Sequence, residues 1–259
     1  MKKVIVLNKI EGETPLEALE KFRRKNPEYK NLSMTYAGRL DPMAFGVLIV
    51  LVSDEIKNKE KYLALEKEYE FKVLFGFKTD TYDILGKLTD KKYLSLTKKE
   101  LEKLIKNNLK SFVGKFKQKY PLYSSKTVQG QPLFKYARLN EGVEVPEREV
   151  VVKNLKLLKI TEIKKEKLWQ NIEKRIKKVK GDFRQKEILK IWENELLSKK
   201  NQDKFFVVDF KIKCSSGTYV RGITNSLGEK INIPALAFYI KRIKIGKFDL
   251  VNAKRRILR

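Results

Sequence analysis

Gly38-Arg39-Leu40-Asp41-Pro42-Met43-Ala44-Phe45-Gly46 runs without a break into Val47-Leu48-Ile49-Val50-Leu51-Val52. The second half of this stretch is the longest uninterrupted apolar run of the chain and reads as a buried strand. An acid held between a glycine turn, a proline and a buried strand is expensive to desolvate unless something pairs with it. Two other segments also place polar residues where patterning expects packed core. One runs from Lys67-Glu68-Tyr69 to Gly76-Phe77-Lys78-Thr79-Asp80-Thr81-Tyr82-Asp83; the other is Cys214-Ser215-Ser216-Gly217-Thr218-Tyr219-Val220-Arg221, a strand, a tight turn and an arginine as a helix starts. One Asp, one Tyr and one Arg, far apart in sequence, are thus candidates to converge on one cleft.

Working outward, Lys3 to Leu7 reads as a buried strand. Thr14-Pro15-Leu16-Glu17 combines an N-cap, a proline at the first helical position and a glutamate three residues after the cap. A helix is expected to about Lys25, with Leu16, Leu19 and Phe22 inward and Asn26-Pro27 ending it. Tyr69, Phe71, Val73 and Phe75 alternate with Glu70, Lys72 and Leu74, which predicts a half-buried strand. A second capping box, Thr97 to Glu100, opens a helix with Leu101, Leu104, Ile105 and Leu109 at helical spacing. Strands are expected around 150–152, 155–160, 205–213 and 243–248.

The span 161–204 has a different texture. Leu168, Ile172, Ile176 and Val179 recur at helical steps, Gly181-Asp182 breaks the pattern with Asp182 able to cap a second helix, and Ile188, Leu189, Trp192 and Leu196 form a second stripe. A helical hairpin inserted between neighbouring strands is the expectation, with apolar contacts of its own that would let it be removed from a still folded core. The span carries 14 basic and 8 acidic residues, so it is read either as an RNA contact or as a solvated lid. Together the elements give α+β: a mixed, mostly antiparallel central sheet flanked by helices, with an inserted helical hairpin.

Composition narrows the function. Fifty-nine basic against 32 acidic residues leave a net charge of +27, a field suited to a polyanionic partner. With 42% hydrophobic residues the chain can build a sizeable core, which excludes global disorder. No apolar run approaches the roughly 18–20 residues of a membrane-spanning helix, and the one behind Met1-Lys2-Lys3 stops at Asn8, too short for a signal sequence. A cytoplasmic protein with no membrane partner is expected. There is no histidine and one cysteine, Cys214, which excludes a Cys–His or Ser–His nucleophile pair and an internal disulfide, and argues against a zinc site. Cys214 follows an alternating strand and reads as a small buried hydrophobe. No phosphate-binding glycine loop for a nucleoside triphosphate or nicotinamide cofactor is present. Catalysis must run on Asp, Glu, Tyr, Lys, Arg or Ser.

In these motifs the chain resembles the TruB family of tRNA pseudouridine synthases, which isomerise a uridine of the T-loop. The family's G-x-L-D-P-x-A-x-G element is Gly38 to Gly46, its K-x-Y strand Lys67 to Tyr69, and its T-D-T-x-D-x-x-G turn Thr79 to Gly86. Its Q-x-x-P-x-Y-S stretch is Gln118 to Ser124, with Gly130 and Tyr136-Ala137-Arg138 downstream. Its C-S-x-G-T-Y-x-R element is Cys214 to Arg221, followed by Leu227-Gly228 and Lys241-Arg242. The order is the family's, and the likeness covers nearly all of the chain outside the hairpin. The chain departs from the pattern at Thr35-Tyr36, where the family has Gly-His, so that Tyr36 replaces a histidine that contacts substrate RNA. Arg39 replaces a small residue, giving the Arg-Leu-Asp of ribosomal-RNA pseudouridine synthases. Phe45 stands for a small residue, and Thr127 holds the usual lysine position with Lys126 one place earlier. Because 11 residues follow Phe248, no C-terminal PUA domain is expected, leaving 1–259 as a single catalytic domain.

The resemblance implies that Asp41 is the nucleophile, attacking ribose C1′ or the uracil ring of a flipped-out uridine, and that the freed base rotates and rejoins through C5. Such a nucleophile must be ionised at neutral pH, and burial alone would oppose that, so a guanidinium partner is required. Arg221 is the candidate, since a cation at a helix N-terminus is disfavoured unless paired. Asp83 is either a second carboxylate holding that arginine or, with Asp80, a turn former. Tyr69 is expected to stack on the flipped uracil and serve proton transfer. Tyr219 and Ile240 are expected to line the uracil pocket, and Tyr36 and Asp83 to assist substrate binding. No metal and no organic cofactor is expected. The partner is tRNA, engaged by a monomer without a protein partner. The competing readings are a ribosomal-RNA pseudouridine synthase and a non-catalytic RNA-binding or chaperone protein on the same scaffold.

Overall fold

The computed structural model describes residues 3–198 and 202–251. Its elements are β1 (Val4–Lys9), α1 (Pro15–Lys25), β2 (Met34–Ala37), β3 (Ala44–Val52), α2 (Lys59–Ala64), β4 (Lys67–Phe75), β5 (Phe77–Thr79), β6 (Leu88–Lys91), α3 (Lys98–Leu109) and β7 (Gly114–Lys119). There follow β8 (Thr127–Val128), β9 (Gln131–Pro132), α4 (Leu133–Leu139), β10 (Glu147–Lys164), α5 (Lys165–Ile176), α6 (Gln185–Leu197), β11 (Lys204–Cys214), α7 (Val220–Lys230), β12 (Ala235–Ile245) and β13 (Phe248–Asp249).

The main sheet runs β1-β3-β12-β4-β11-β10-β7, with β2 also on β3 and β13 on β12. Every pairing in it is antiparallel except β3 with β12. The fold is therefore the expected α+β type with a mixed, mostly antiparallel sheet. The parallel pairing places Arg242 beside Gly46. Gly46 has φ +107°, and a Cβ there would collide with the Arg242 carbonyl, so this crossing requires glycine.

Both capping boxes form as read: Thr14 and Thr97 accept from the backbone of Glu17 and Glu100, whose carboxylates return the bond. Leu19 is buried and Phe22 half-buried, but Leu16 is 57% exposed and lies at a cavity rim, a correction to the inward stripe. The segment 243–248 is also corrected: β12 begins at Ala235 and supplies a central strand, leaving only the two-residue β13 after the turn. The apolar positions 235–238 are all buried, which hides the alternation that marks a one-sided strand.

β4 is buried on more than one face. Tyr69, Phe71, Val73 and Phe75 join the core beneath α3 and α7, as the alternation indicates, whereas Leu74 packs in a second core with Phe77, Ile84, Leu85, Leu236 and Phe238. That second core is shared with the hairpin. Leu168, Ile172, Ile176, Val179, Ile188, Trp192 and Leu196 all enter it, and the Trp192 indole donates to the Ile84 carbonyl at 3.2 Å. The expectation that the hairpin's apolar contacts are all its own is corrected: besides packing on each other, α5 and α6 share their stripes with the sheet face and the 77–85 turn. Residues 199–201 of the span 161–204 lie outside the described residues. Asp182 does not cap α6. Arg184 precedes that helix with φ +62°, and Asp182 instead accepts from the Arg184 backbone and pairs with Arg138.

Candidate active site

Arg221 is the centre on which the motifs meet. It stands in the first turn of α7, and its side chain is 3% exposed. Its Nε donates to Asp41 Oδ2 at 2.7 Å, one terminal nitrogen donates to the Thr81 carbonyl, and the other to the Tyr123 carbonyl at 3.3 Å. Asp83 Oδ2 lies 3.7 Å from the same Nε. Segments distant in sequence thus surround one guanidinium. Burial acts to discharge Arg221, but Asp41 and then Asp83 outweigh it and push its pKa up.

The two carboxylates occupy different environments. The Asp41 side chain is 36% exposed and faces the cavity, whereas that of Asp83 is 7% exposed. Desolvation raises the Asp83 pKa to about 6 against the pull of Arg221. Asp83 also accepts from Thr81 Oγ1 at 2.8 Å and from the Leu85 amide at 2.9 Å. It is both turn former and partner to the arginine, which resolves the two readings of that residue. Asp80 is likewise both: it accepts from the Lys87 amide at 2.9 Å and pairs with Arg184 at 2.7 Å.

The Asp41 loop is pinned from both ends. On the N-terminal side, the buried Arg242 donates to the carbonyls of Gly38 and Arg39, each at 3.1 Å, and to Val47 at 2.8 Å. On the C-terminal side, the buried Lys9 ammonium donates to the carbonyls of Pro42 and Ala44, and the Gly12 amide donates to Pro42 at 2.9 Å. Burial lowers the Lys9 pKa to about 8, partly offset by Asp41. Gln118 plays the matching part for the arginine: its amide group donates to the Tyr219 carbonyl and accepts from the Tyr219 amide, holding the entry to α7.

A cavity of about 710 Å³ opens on Asp41, Tyr69, Tyr219, Ile240, Arg221 and Arg242. A second, of about 420 Å³, shares Asp41 and Arg221 and is walled by Tyr36, Asp83, Tyr123 and the tip of the hairpin. The first cavity therefore gathers Asp41, Tyr69, Arg221, Tyr219 and Ile240, while Tyr36 and Asp83 face the second. Tyr69 is 8% exposed on the rigid β4. Burial raises its pKa, with Arg242 beside it acting in the opposite sense. Tyr219 is raised by burial and then by Asp41.

Three positioning groups escaped sequence reasoning: Lys9, Lys67 and the role of Arg242. A signal existed for the lysines. Lys9 shares the parity of Ile5 on β1, and Lys67 that of Tyr69 and Phe71 on β4, so period two assigns both to the buried face. Lys67 donates to the carbonyls of Leu63 and Leu65, each at 2.6 Å, and burial lowers its pKa to about 8. Cys214 is fully buried, as expected. Among the described residues no cluster of potential metal ligands occurs, and no helix is long and apolar enough to cross a membrane.

Residues 26–183 match the family model for the N-terminal domain of TruB family pseudouridylate synthases. The chain is 32% identical over 252 residues to tRNA pseudouridine synthase B of Lactobacillus acidophilus, covering 96% of this chain and 70% of that protein. It is 30% identical over 215 residues to tRNA pseudouridine synthase B of Caldanaerobacter subterraneus subsp. tengcongensis, covering 83% of this chain and 60% of that one. Among solved structures it is similar in fold to a chain of the Cbf5-Nop10-Gar1 complex, with TM-score 0.54, 18% identity, and coverage of 95% of this chain and 50% of that. The chain thus spans about half the length of that structural neighbour and 60% to 70% of these relatives. Since the motifs converge on one buried arginine and the family match extends over more than half of the sequence, the chain belongs to the TruB family of pseudouridylate synthases.

Proposed function

We propose that this protein isomerises a uridine in the T-loop of tRNA to pseudouridine, with Asp41 as nucleophile. The observation that carries the reading is the one-sided ion pair: a buried Arg221 holds Asp41 at 2.7 Å and leaves the carboxylate facing a cavity large enough for a nucleotide. The relatives named tRNA pseudouridine synthase B supply the substrate class.

The reaction breaks the bond from C1′ to N1, turns the base, and joins C1′ to C5, so that a proton leaves C5 and one is gained at N1. Asp41 attacks ribose C1′ or the uracil ring and is released at the end. The base must leave its stack, because a carboxylate inside a folded domain cannot reach into a structured loop. Tyr69 is assigned the face of the flipped uracil and the transfer of the C5 proton. Tyr219 and Ile240 wall the pocket, and Asp83 holds Arg221 from behind. Tyr36, in the second cavity, meets RNA beside the target base. No redox change or net hydrolysis occurs, so the chemistry needs no cofactor. In this reading the protein works in the cytoplasm, where tRNA is modified, as a monomer without a protein partner.

Mapping pseudouridine in total RNA from cells with and without the gene tests the proposal. The site should vanish from the T-loop of tRNA and return on complementation; loss from ribosomal RNA alone would overturn the tRNA assignment.

A further inference from the structure

The tip of the hairpin, 182–184, forms a wall of the second cavity, which Asp41 and Arg221 also line. It is fastened there. Arg184 donates to both carboxylate oxygens of Asp80, at 2.7 and 3.3 Å, and its guanidinium lies 4.3 Å from the centre of the Tyr123 ring. Arg138 donates to the Asp182 backbone carbonyl and carboxylate. At the far end of α5, Arg175 donates to Glu11 at 2.9 Å, and the Lys178 backbone lies against Gly12. The tip is therefore a built part of the cleft rim.

Between Glu173 and Lys186 there are seven basic and two acidic residues. Arg175 and Arg184 are taken up by Glu11 and Asp80, Lys177 by Glu173, and Asp182 by Arg138. Lys174, Lys178, Lys180 and Lys186 remain, and none has an acidic partner among the described residues. Uncompensated lysines on a segment locked to the rim of the cavity that holds Asp41 form a surface for a polyanion entering that cavity. Their continuity with the site favours RNA over an acidic protein. We propose that the α5–α6 tip, through Lys174, Lys178, Lys180 and Lys186, grips the phosphate backbone of the RNA next to the nucleotide taken into the site. This rests on the reading that the chain acts on RNA.

The test compares two sets of four Lys→Gln substitutions that lower the net charge equally: 174, 178, 180 and 186 at the tip, and Lys98, Lys99, Lys103 and Lys110 on and after α3. Affinity for an unmodified tRNA transcript is measured across a salt series, with KM for pseudouridine formation alongside and thermal unfolding as a fold check. The tip set should weaken binding by about tenfold or more and flatten the slope of log K against log salt by roughly 0.7–0.9 for each phosphate no longer neutralised. The α3 set should change both less. Unchanged affinity and slope in the tip set, or equal losses in both sets, would overturn the proposal. Should the fourfold variant fail to fold, Lys178→Glu with Lys180→Glu carries the same comparison. Wild-type protein that binds tRNA through the tip yet forms no pseudouridine would sink the reaction and leave the surface standing; an active enzyme indifferent to the tip would do the reverse.

Discussion

Asp41 and Arg221, 180 positions apart in sequence, meet at 2.7 Å in a pair whose two halves lie in different solvents: the arginine side chain is 3% exposed, the aspartate 36%. The fold buries the cation and leaves the carboxylate at the cavity surface. A guanidinium so enclosed, with carbonyls of Thr81 and Tyr123 on its other nitrogens, has no freedom to follow a moving partner. It holds Asp41 in place and supplies the counter-charge that the nucleophile role proposed for Asp41 requires.

Asp41→Asn removes the charge and the proposed nucleophile while changing almost no volume. Turnover on a T-loop minihelix should fall to background, with tRNA affinity retained within about tenfold because phosphate contacts elsewhere supply most of it. Stability should drop by about 1–3 kcal/mol, less than the roughly 3–5 of a fully buried pair, since an asparagine oxygen still accepts from Arg221. Retention of the wild-type rate would falsify the assignment of Asp41.

Arg242→Lys tests whether the loop must be clamped. Lysine keeps the charge but cannot fork to the carbonyls of Gly38, Arg39 and Val47 together. The expected loss is about 10–100-fold in kcat with little change in tRNA affinity, the signature of a displaced nucleophile. If KM rises instead while kcat holds, Arg242 acts on substrate and not on the loop.

The behaviour of Asp83 gives a pH dependence of definite sign. Its folded pKa of about 6 lies above the 3.8 of an ordinary aspartate, so the native state holds a proton the unfolded chain has released in that interval. Its contribution to stability is fully present below about pH 4 and is lost as pH rises through about 6. Relative to Asp83→Asn, which keeps the acceptor for Thr81 and Leu85, wild type should lose on the order of 1–3 kcal/mol between pH 4 and pH 7. Denaturant midpoints of both proteins at these pH values measure it; parallel curves would show that Arg221 compensates the buried charge completely.

The elements of this fold that obey one period were legible in the sequence: α1, α3 and the upper face of β4 follow from spacing and capping alone. The features that stayed hidden have a common cause. Leu74, Leu236 and Phe238 are buried on a face that a hairpin distant in sequence covers, and no local pattern distinguishes such a strand from a half-exposed one. In the site, polar residues set where patterning expects core point to an Asp, a Tyr and an Arg that converge, and the resemblance to the family singles out Asp41, Tyr69 and Arg221 among them. The groups that hold them were missed although Lys9 shares the buried parity of Ile5, because a lysine's charge reads as surface until the carbonyls of Pro42 and Ala44 are folded onto it.

Trp192 offers the sharpest measure of how far the hairpin belongs to the enzyme. It is fully buried, packs edge-on against Phe77 at 5.3 Å between ring centres, and donates its indole N–H to the Ile84 carbonyl in the turn that carries Asp83. Trp192→Ala should cost about 3–5 kcal/mol, the range for deleting a large buried aromatic. Because the cavity would open beneath the 79–86 turn, Asp83 and the Thr81 carbonyl should lose their fixed position against Arg221. Activity at a temperature where the variant is still folded should therefore fall as well. Trp192→Phe keeps most of the volume and leaves the Ile84 carbonyl without its donor, so it should lose less stability but part of the same activity. A variant Trp192→Ala that unfolds at the wild-type midpoint would mean that α5 and α6 hold together without the sheet, and the two cores would then be separable after all.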